Sequence, residues 1–257
     1  MTDLSPIHVE LVERVPLPEG ARVEARDVDY AHDGVALRGH EARRTDAGAK
    51  RPAVLVVHDW YGLRDYAKAR AQMLARLGYH AFAVDVYGAG VSYDDPEQAK
   101  AAAGRFYADP ALLTGRIRAA YDVVAADPEV DAARISIIGY CFGGSASLEF
   151  ARTGAPLVVT ASFHGGLNTH DPADVDRIQG SILIATGASD PVVPDSAIAS
   201  FQDELRTNPG LDWQVQVYSG APHAFTLPGI PAYREGADRR SWAALVELLA
   251  ERNAQSS

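Results

Sequence analysis

One strand–turn–helix stretch, residues 135–150, constrains the fold of this chain more than any other. An apolar, strand-forming run leads into Gly139, and the small and apolar residues after Gly143 are typical of a buried helix start. Cys141 lies between these glycines, which is the spacing of the G-x-S-x-G nucleophile elbow with Cys in place of Ser. A nucleophile on so sharp a turn takes strained dihedral angles, and its flanks must lack Cβ atoms if strand and helix are to approach. The alternative interpretation is a buried cysteine that packs like a small hydrophobic residue on a glycine-rich connection.

The rest of the chain alternates between buried strands and helices. Strands are predicted at residues 9–15, 21–30, 35–43, 53–57, 81–84, 135–138, 157–163, 182–186 and 213–218. Helices are predicted at residues 63–77, 97–107, 110–126, 196–205 and 239–252, and behind the elbow up to about residue 152. The turn at residues 32–34 predicts that the strand at 35–43 pairs back as a hairpin. Alternation of this kind predicts an α/β fold with a mostly parallel sheet, helices on both faces and an N-terminal antiparallel hairpin.

The domain organisation is predicted to be simple. The sequence shows no internal repeat, low-complexity tract or linker, apart from a short polar loop at residues 45–50. We therefore predict one domain over residues 1–257, with N-terminal edge strands at about 8–44 and a catalytic core at about 53–250.

Composition excludes several classes of partner. The net charge of −10 argues against nucleic acid and against an anionic membrane surface. No apolar run approaches the roughly 18 residues of a membrane span, and Met1–Pro6 lacks the features of a signal peptide. The single cysteine is compatible with a reducing compartment, so we expect a cytoplasmic protein. A homodimer is compatible with the sequence, which leaves the oligomeric state open.

Two further reactive residues follow predicted strands. Asp190 comes after the strand at 182–186, and His223 comes after the strand at 213–218. Ligands bind outside the carboxyl ends of strands in such sheets, and the order Cys141, Asp190, His223 is the nucleophile–acid–histidine order of α/β-hydrolases. An imidazole can take the thiol proton, and a carboxylate can orient that imidazole. Taken singly, Asp190 is also explained as a turn residue and His223 as a surface histidine.

Several motifs together resemble the dienelactone hydrolase family of α/β-hydrolases. They are residues 139–144, residues 58–63 with Asp59 where the family usually has Glu, residues 85–88, and the loops that carry Asp190 and His223. The resemblance covers roughly residues 54–249 and implies a Cys–His–Asp triad that acts on esters or lactones. It also implies an oxyanion hole formed by the backbone amides of Trp60 and Phe142, which agrees with the general arrangement in this fold. A carboxylate at Asp59 is implied to contact the resting thiol.

Other residues are candidates for binding or supporting the substrate. His164 follows the strand at 157–163 and is interpreted either as a substrate contact or as a structural histidine. The aromatic residues on or beside the predicted active-site loops favour an apolar acyl or alcohol pocket, although core packing explains any one of them: Trp60, Tyr61, Tyr87, Phe142 and Phe225. His164, His170 and Asp171 match no zinc-binding spacing, so no metal is expected.

We therefore predict a hydrolase that cleaves small, neutral esters or lactones through a cysteinyl acyl-enzyme, without a cofactor. The alternatives are acyl transfer or phosphoester cleavage at the same site, and a non-catalytic homologue that binds small molecules.

The predicted neutrality of the substrate rests on missing arginines. Family members that hydrolyse dienelactone hold its carboxylate with arginines, at places that here read Gly88–Gly90 and Thr226–Pro228. A buried carboxylate without a paired charge is costly. Arg64 and Arg234 are the nearby residues that would have to substitute.

Overall fold

The computed structural model describes residues 4–46, 50–168 and 170–254. Residues 1–3, from the start of the chain, and residues 47–49, from the polar loop predicted at 45–50, lie outside the described part. The chain divides into two compact units, one up to Ser136 and one from Ile137 onward, and each is described by itself.

The first unit contains the N-terminal hairpin and the first parallel strands. Its elements are α1 (Pro6–Glu13), β1 (Val23–His32), β2 (Val35–Arg44), β3 (Arg51–Val57), α2 (Asp65–Arg76), β4 (His80–Val84), α3 (Pro96–Tyr107), α4 (Pro110–Ala126) and the first residues of β5 (Val130–Tyr140). The strands β1, β2, β4 and β3 neighbour one another in that order. The predicted hairpin is confirmed, because β1 and β2 pair antiparallel from Val23 opposite Arg44 to His32 opposite Val35. The pair β3 and β4 is parallel.

One predicted strand of this unit is wrong. Residues 9–15 were expected to form an edge strand, but most of them lie in helix α1, so the edge strands begin at Val23 rather than near residue 8. Pro6 stands at the start of the helix, where its missing N–H costs nothing. The helix buries Leu11 and Val12, while Val9 is exposed. Val9 and Leu11 also fit the alternation of a strand, and so short a segment does not distinguish helical from strand periodicity.

The second unit contains the strands that end at the candidate site. Its elements are the end of β5, α5 (Phe142–Arg152), β6 (Val159–Phe163), a 3₁₀ helix (Pro172–Arg177), β7 (Ser181–Gly187), α6 (Asp195–Arg206), β8 (Asp212–Tyr218) and α7 (Glu235–Ala254). These four strands follow one another in the order β5, β6, β7, β8, and every neighbouring pair is parallel. The loops after all four strands therefore leave from the same edge of the sheet.

The predicted fold class is confirmed: the protein is α/β, with a mostly parallel sheet and an antiparallel N-terminal hairpin. The core of the central strands is fully buried, as in residues 54–57 of β3 and 182–185 of β7. The 3₁₀ helix was not predicted, and α7 begins about one turn earlier than expected. Among the described helices none is both long and apolar enough to cross a membrane. The prediction of a single domain stays a prediction.

Candidate active site

The nucleophile elbow joins β5 to α5 through a strained residue. Cys141 has φ 55° and ψ −115°, in a region that non-glycine residues rarely adopt. Such strain costs of order 1–3 kcal/mol and persists only where the surrounding structure enforces it. A Cβ atom added to Gly139 would lie 2.0 Å from the carbonyl oxygen of Gly143. The expectation that strand and helix approach too closely for a side chain is therefore confirmed at Gly139.

The structure brings the three predicted triad side chains into one hydrogen-bonded row. The Nε2 atom of His223 lies 3.1 Å from the Sγ atom of Cys141, and its Nδ1 atom lies 2.9 Å from Oδ2 of Asp190. The Asp190 side chain is fully buried, whereas about a fifth of the His223 side chain is exposed. The other carboxylate oxygen of Asp190 accepts hydrogen bonds from the backbone amides of Val192 and Val193, at 2.8 and 3.2 Å. These bonds fix the carboxylate, so its second oxygen is held for the imidazole.

The environment of His223 favours its protonated form. Burial by itself lowers the pKa of the imidazole, but the hydrogen bonds to Asp190 and Cys141 and the attraction of their charges outweigh it. Together they raise the pKa of His223 to about 10. An imidazolium beside the sulfur stabilises a thiolate, which is the nucleophilic form of cysteine. The arrangement is thus suited to covalent catalysis by Cys141.

Phe142 is the first residue of α5, directly after Cys141. Its backbone amide lies at the helix N-terminus, where the helix dipole favours negative charge. Its side chain is fully buried, as is that of Phe225. The two rings therefore pack in the core, which is the alternative that was open for each of them, and the predicted apolar pocket stays a prediction. The predicted role of the Phe142 amide in an oxyanion hole stays a prediction.

His164 is buried against the loop after β8, which carries His223. It directly follows β6 and is 1% exposed. Its Nε2 atom is 2.7 Å from Oγ1 of Thr226. Its ring contacts those of His223 and Phe225 edge to face, with centroids 5.3 and 5.4 Å apart. Sequence reasoning did not select Thr226, although its position three residues after His223 places it on the same turn.

The loops after β3 and β4 in the first unit contact each other. Asp59 accepts a hydrogen bond from the Tyr61 amide at 2.8 Å, and burial raises the pKa of its carboxyl to about 6. The Tyr87 hydroxyl donates to the Trp60 carbonyl at 3.0 Å, and the rings of Trp60 and Tyr61 lie 5.3 Å apart. The predicted roles of the Trp60 amide in an oxyanion hole, of Asp59 at the thiol, and of Tyr61 and Tyr87 at a substrate stay predictions.

Comparison with known proteins decides the family. The model of the dienelactone hydrolase family matches residues 37–252, which is most of the chain. The chain belongs to the dienelactone hydrolase family. It is therefore an enzyme, an ester or lactone hydrolase of the dienelactone hydrolase type, and the alternative of a non-catalytic homologue is set aside.

Relatives of this dienelactone hydrolase family member are similar over nearly their whole length. A solved structure of a dienelactone hydrolase-like promiscuous phosphotriesterase from metagenomic libraries is 39% identical, with a TM-score of 0.84, over 89% of this chain and 98% of its own. A putative carboxymethylenebutenolidase of Aquifex aeolicus is 29% identical over 77% of this chain and 85% of its own. A probable 2-oxo-3-(5-oxofuran-2-ylidene)propanoate lactonase of a Bradyrhizobium species is 27% identical over 84% of this chain and 89% of its own.

The two arginines considered for an anionic substrate both have other partners in this family member. The Arg64 guanidinium pairs with Asp94 at 2.5 Å and donates to the Tyr93 carbonyl at 3.0 Å. The Arg234 guanidinium donates to two carbonyls of its own loop, at 2.8 and 2.9 Å. Each guanidinium would have to rearrange these exposed contacts to bind a substrate carboxylate.

The three residues that could suggest a metal site, His164, His170 and Asp171, each contact a different group. Nδ1 of His170 lies 3.4 Å from a carboxylate oxygen of Glu149. Asp171 accepts a hydrogen bond from the first turn of the 3₁₀ helix, while His164 faces Thr226.

Within the described residues, one other group has side chains of metal-ligand type. Glu41, His80 and Asp127 place one ligand atom each within 4.8 Å of one another. Arg26 already donates to Glu41 at 3.1 Å, and a cation bound there would have to displace it. The prediction that this hydrolase needs no metal or cofactor stays a prediction.

Proposed function

We propose that this protein hydrolyses small, neutral carboxylic esters or lactones through a cysteinyl acyl-enzyme. The observation that carries the proposal is the row of three side chains, with His223 between the Cys141 sulfur at 3.1 Å and the Asp190 carboxylate at 2.9 Å. A carboxylate on Nδ1 leaves Nε2 to exchange a proton with the nucleophile, which is the division of roles in a catalytic triad.

The proposed reaction has two steps. The Cys141 sulfur attacks the substrate carbonyl, while His223 holds the proton that came from the thiol. The Phe142 amide, at the start of α5, stabilises the negative oxygen of the tetrahedral intermediate. When the carbon–oxygen bond breaks, the alcohol leaves with the proton from His223. His223 then takes a proton from water, which attacks the thioester and releases the acid, and the proton returns to the sulfur.

Neutral substrates are favoured by the charges of the chain. Arg64 and Arg234 are held by other groups, and Thr226 is fully buried. A substrate carboxylate would therefore lose its hydration without gaining a paired charge, which is costly. The net charge of −10 also opposes the approach of anions.

The first experiment is mass spectrometry of the intact protein after rapid mixing with an activated short-chain aryl ester. Because Cys141 is the only cysteine in the chain, a transient adduct of the acyl mass that is absent from Cys141→Ala identifies the nucleophile. Turnover without any adduct, and with an equal rate in Cys141→Ala, would contradict the proposed mechanism. Added acceptor alcohols distinguish hydrolysis of the thioester from acyl transfer, since a new ester product indicates acyl transfer.

The second experiment compares a neutral aryl ester with a carboxylate-bearing lactone of similar size and intrinsic reactivity. We expect at least a tenfold higher kcat/KM for the neutral ester, equivalent to about 1.4 kcal/mol of transition-state binding. Equal or faster turnover of the anionic lactone would contradict the proposed neutrality and would implicate Arg64 or Arg234.

A second activity at the same site, phosphotriester cleavage, is favoured by one observation. The solved structure that is 39% identical is that of a promiscuous phosphotriesterase. Phosphotriesters are neutral, as the charge argument requires, and the thiolate would attack phosphorus in place of carbon. Release of an aryl alcohol from a dialkyl aryl phosphate by the wild type, and not by Cys141→Ala, would support this activity.

A further inference from the structure

His164 has a backbone conformation that its surroundings must enforce. Its φ of 43° lies in the left-handed region, which is unfavourable for a non-glycine residue. Its amide donates to the Ala185 carbonyl at 2.8 Å, which ties it to β7. The preceding residue, Phe163, accepts a hydrogen bond from the Cys141 amide at 3.0 Å. The backbone that carries His164 is therefore bonded directly to the backbone of the nucleophile.

The imidazole of His164 makes three contacts with the loop after β8, in addition to a ring contact with Tyr140. It is hydrogen-bonded to Thr226, and it packs edge to face on His223 and on Phe225. The Thr226 hydroxyl is on a residue with no exposed surface, so this hydrogen bond is formed away from water. Between His223 and Phe225, Ala224 is also in the left-handed region, with φ 60°. A turn with this strain needs an anchor to keep one geometry.

From this geometry we propose that His164 is a positioning residue for His223, acting through its hydrogen bond to Thr226. The proposal rests on the proposed role of His223 as the base. The bridge from Cys141 through Phe163, His164 and Thr226 would hold the imidazole at its distance from the sulfur. A misplacement of about 1 Å from a productive geometry can cost about 10²-fold in rate.

The test uses a pair of substitutions at Thr226 that separate shape from hydrogen bonding. Thr226→Val has nearly the same volume but lacks the hydroxyl, whereas Thr226→Ser keeps it. We expect Val to lower kcat about 10- to 100-fold with little change in KM, and Ser to stay within about threefold of wild type. Thr207→Val is the matched control, since the Thr207 hydroxyl is bonded to the Glu204 carbonyl at the exposed end of α6, and we expect wild-type kinetics.

A second readout measures the distance-sensitive pairing of Cys141 and His223 without any substrate. The rate of alkylation of the single cysteine by iodoacetamide, followed across pH, reports the thiolate that His223 stabilises. In Thr226→Val we expect slower alkylation near neutral pH, because less of the thiolate is present, and in Thr226→Ser we expect an unchanged profile. A residue that only stabilised the fold would change the urea midpoint and leave this profile unchanged.

His164→Phe provides an independent variant, because it keeps a ring but loses Nε2. If both residues act through one bond, the double variant with Thr226→Val should be no slower than the slower single variant. A folded Thr226→Val with unchanged kcat and an unchanged alkylation profile would overturn the proposal, as would losses that multiply in the double variant. Full activity of Cys141→Ala would refute the proposed function. The alkylation profile would still test the positioning role of His164, because alkylation does not require turnover.

Discussion

Asp190→Asn tests the proposed triad most directly, because the structure limits what this substitution changes. Only Oδ2 of Asp190 faces the Nδ1 atom of His223, at 2.9 Å, while Oδ1 accepts from the amides of Val192 and Val193. An asparagine keeps the Oδ1 contacts and hence the loop. Its amide group, however, donates to Nδ1, so Nε2 carries the proton and can no longer accept one from the thiol.

The magnitude follows from the charge that is lost. Unit charges about 4 Å apart, at an effective dielectric constant of about 20, attract each other by about 4 kcal/mol. Each 1.36 kcal/mol corresponds to a factor of about ten in rate, which gives a loss of about 10³-fold. With the wrong tautomer added, we expect kcat/KM on a neutral aryl ester to fall about 10³- to 10⁴-fold.

The assay combines turnover with the alkylation profile of Cys141. Loss of the carboxylate removes a cause of the raised His223 pKa. We therefore expect slower alkylation at pH 7 and a rate that increases when the pH is raised. Asp195→Asn, the same change at an exposed residue of the first turn of α6, is the control and should behave as wild type. A folded Asp190→Asn with kcat/KM within tenfold of wild type and an unchanged profile would refute the reasoning.

Three further expectations concern the elbow and the buried carboxyl. Cys141→Ala should abolish turnover, by on the order of 10⁴-fold or more, with an unchanged urea midpoint; a rate within tenfold of wild type would exclude Cys141 as the nucleophile. Gly139→Ala should destabilise the fold by about 1–3 kcal/mol or more through its clash with the elbow helix, whereas Gly104→Ala, in open space on α3, should stabilise it by about 0.5–1 kcal/mol. The raised pKa of Asp59 means that the native state binds an extra proton between about pH 4 and 6, so its contribution to stability is lost as the pH rises through 6. Asp59→Asn should therefore be more stable than wild type at pH 8, by about 1–3 kcal/mol, and not at pH 3.5. Equal urea midpoints of the two proteins at pH 8 would show that burial does not raise the pKa of this carboxyl.

Much of this protein follows from the amino-acid sequence because the relevant constraints are local. The alternation of apolar strands and helices predicts the α/β fold, since a continuous apolar run of 4–8 residues has to be covered on both faces. Cys141 between Gly139 and Gly143 predicts the elbow, because only glycine tolerates the close approach found at Gly139. The positions of Asp190 and His223 at the ends of their strands also come from local pattern together with the common edge of parallel strands.

Other features were decided only by contacts between distant parts of the chain. The segment at residues 6–13 is a helix that buries Leu11 and Val12, which a short and ambiguous periodicity does not determine. The partner of His164 is Thr226, 62 residues away in the sequence, and no local spacing relates the two. Burial of the Phe225 ring and the pairing of Arg64 with Asp94 are likewise tertiary. A side chain's type is local, but its partner and its exposure depend on which segments the fold packs against it.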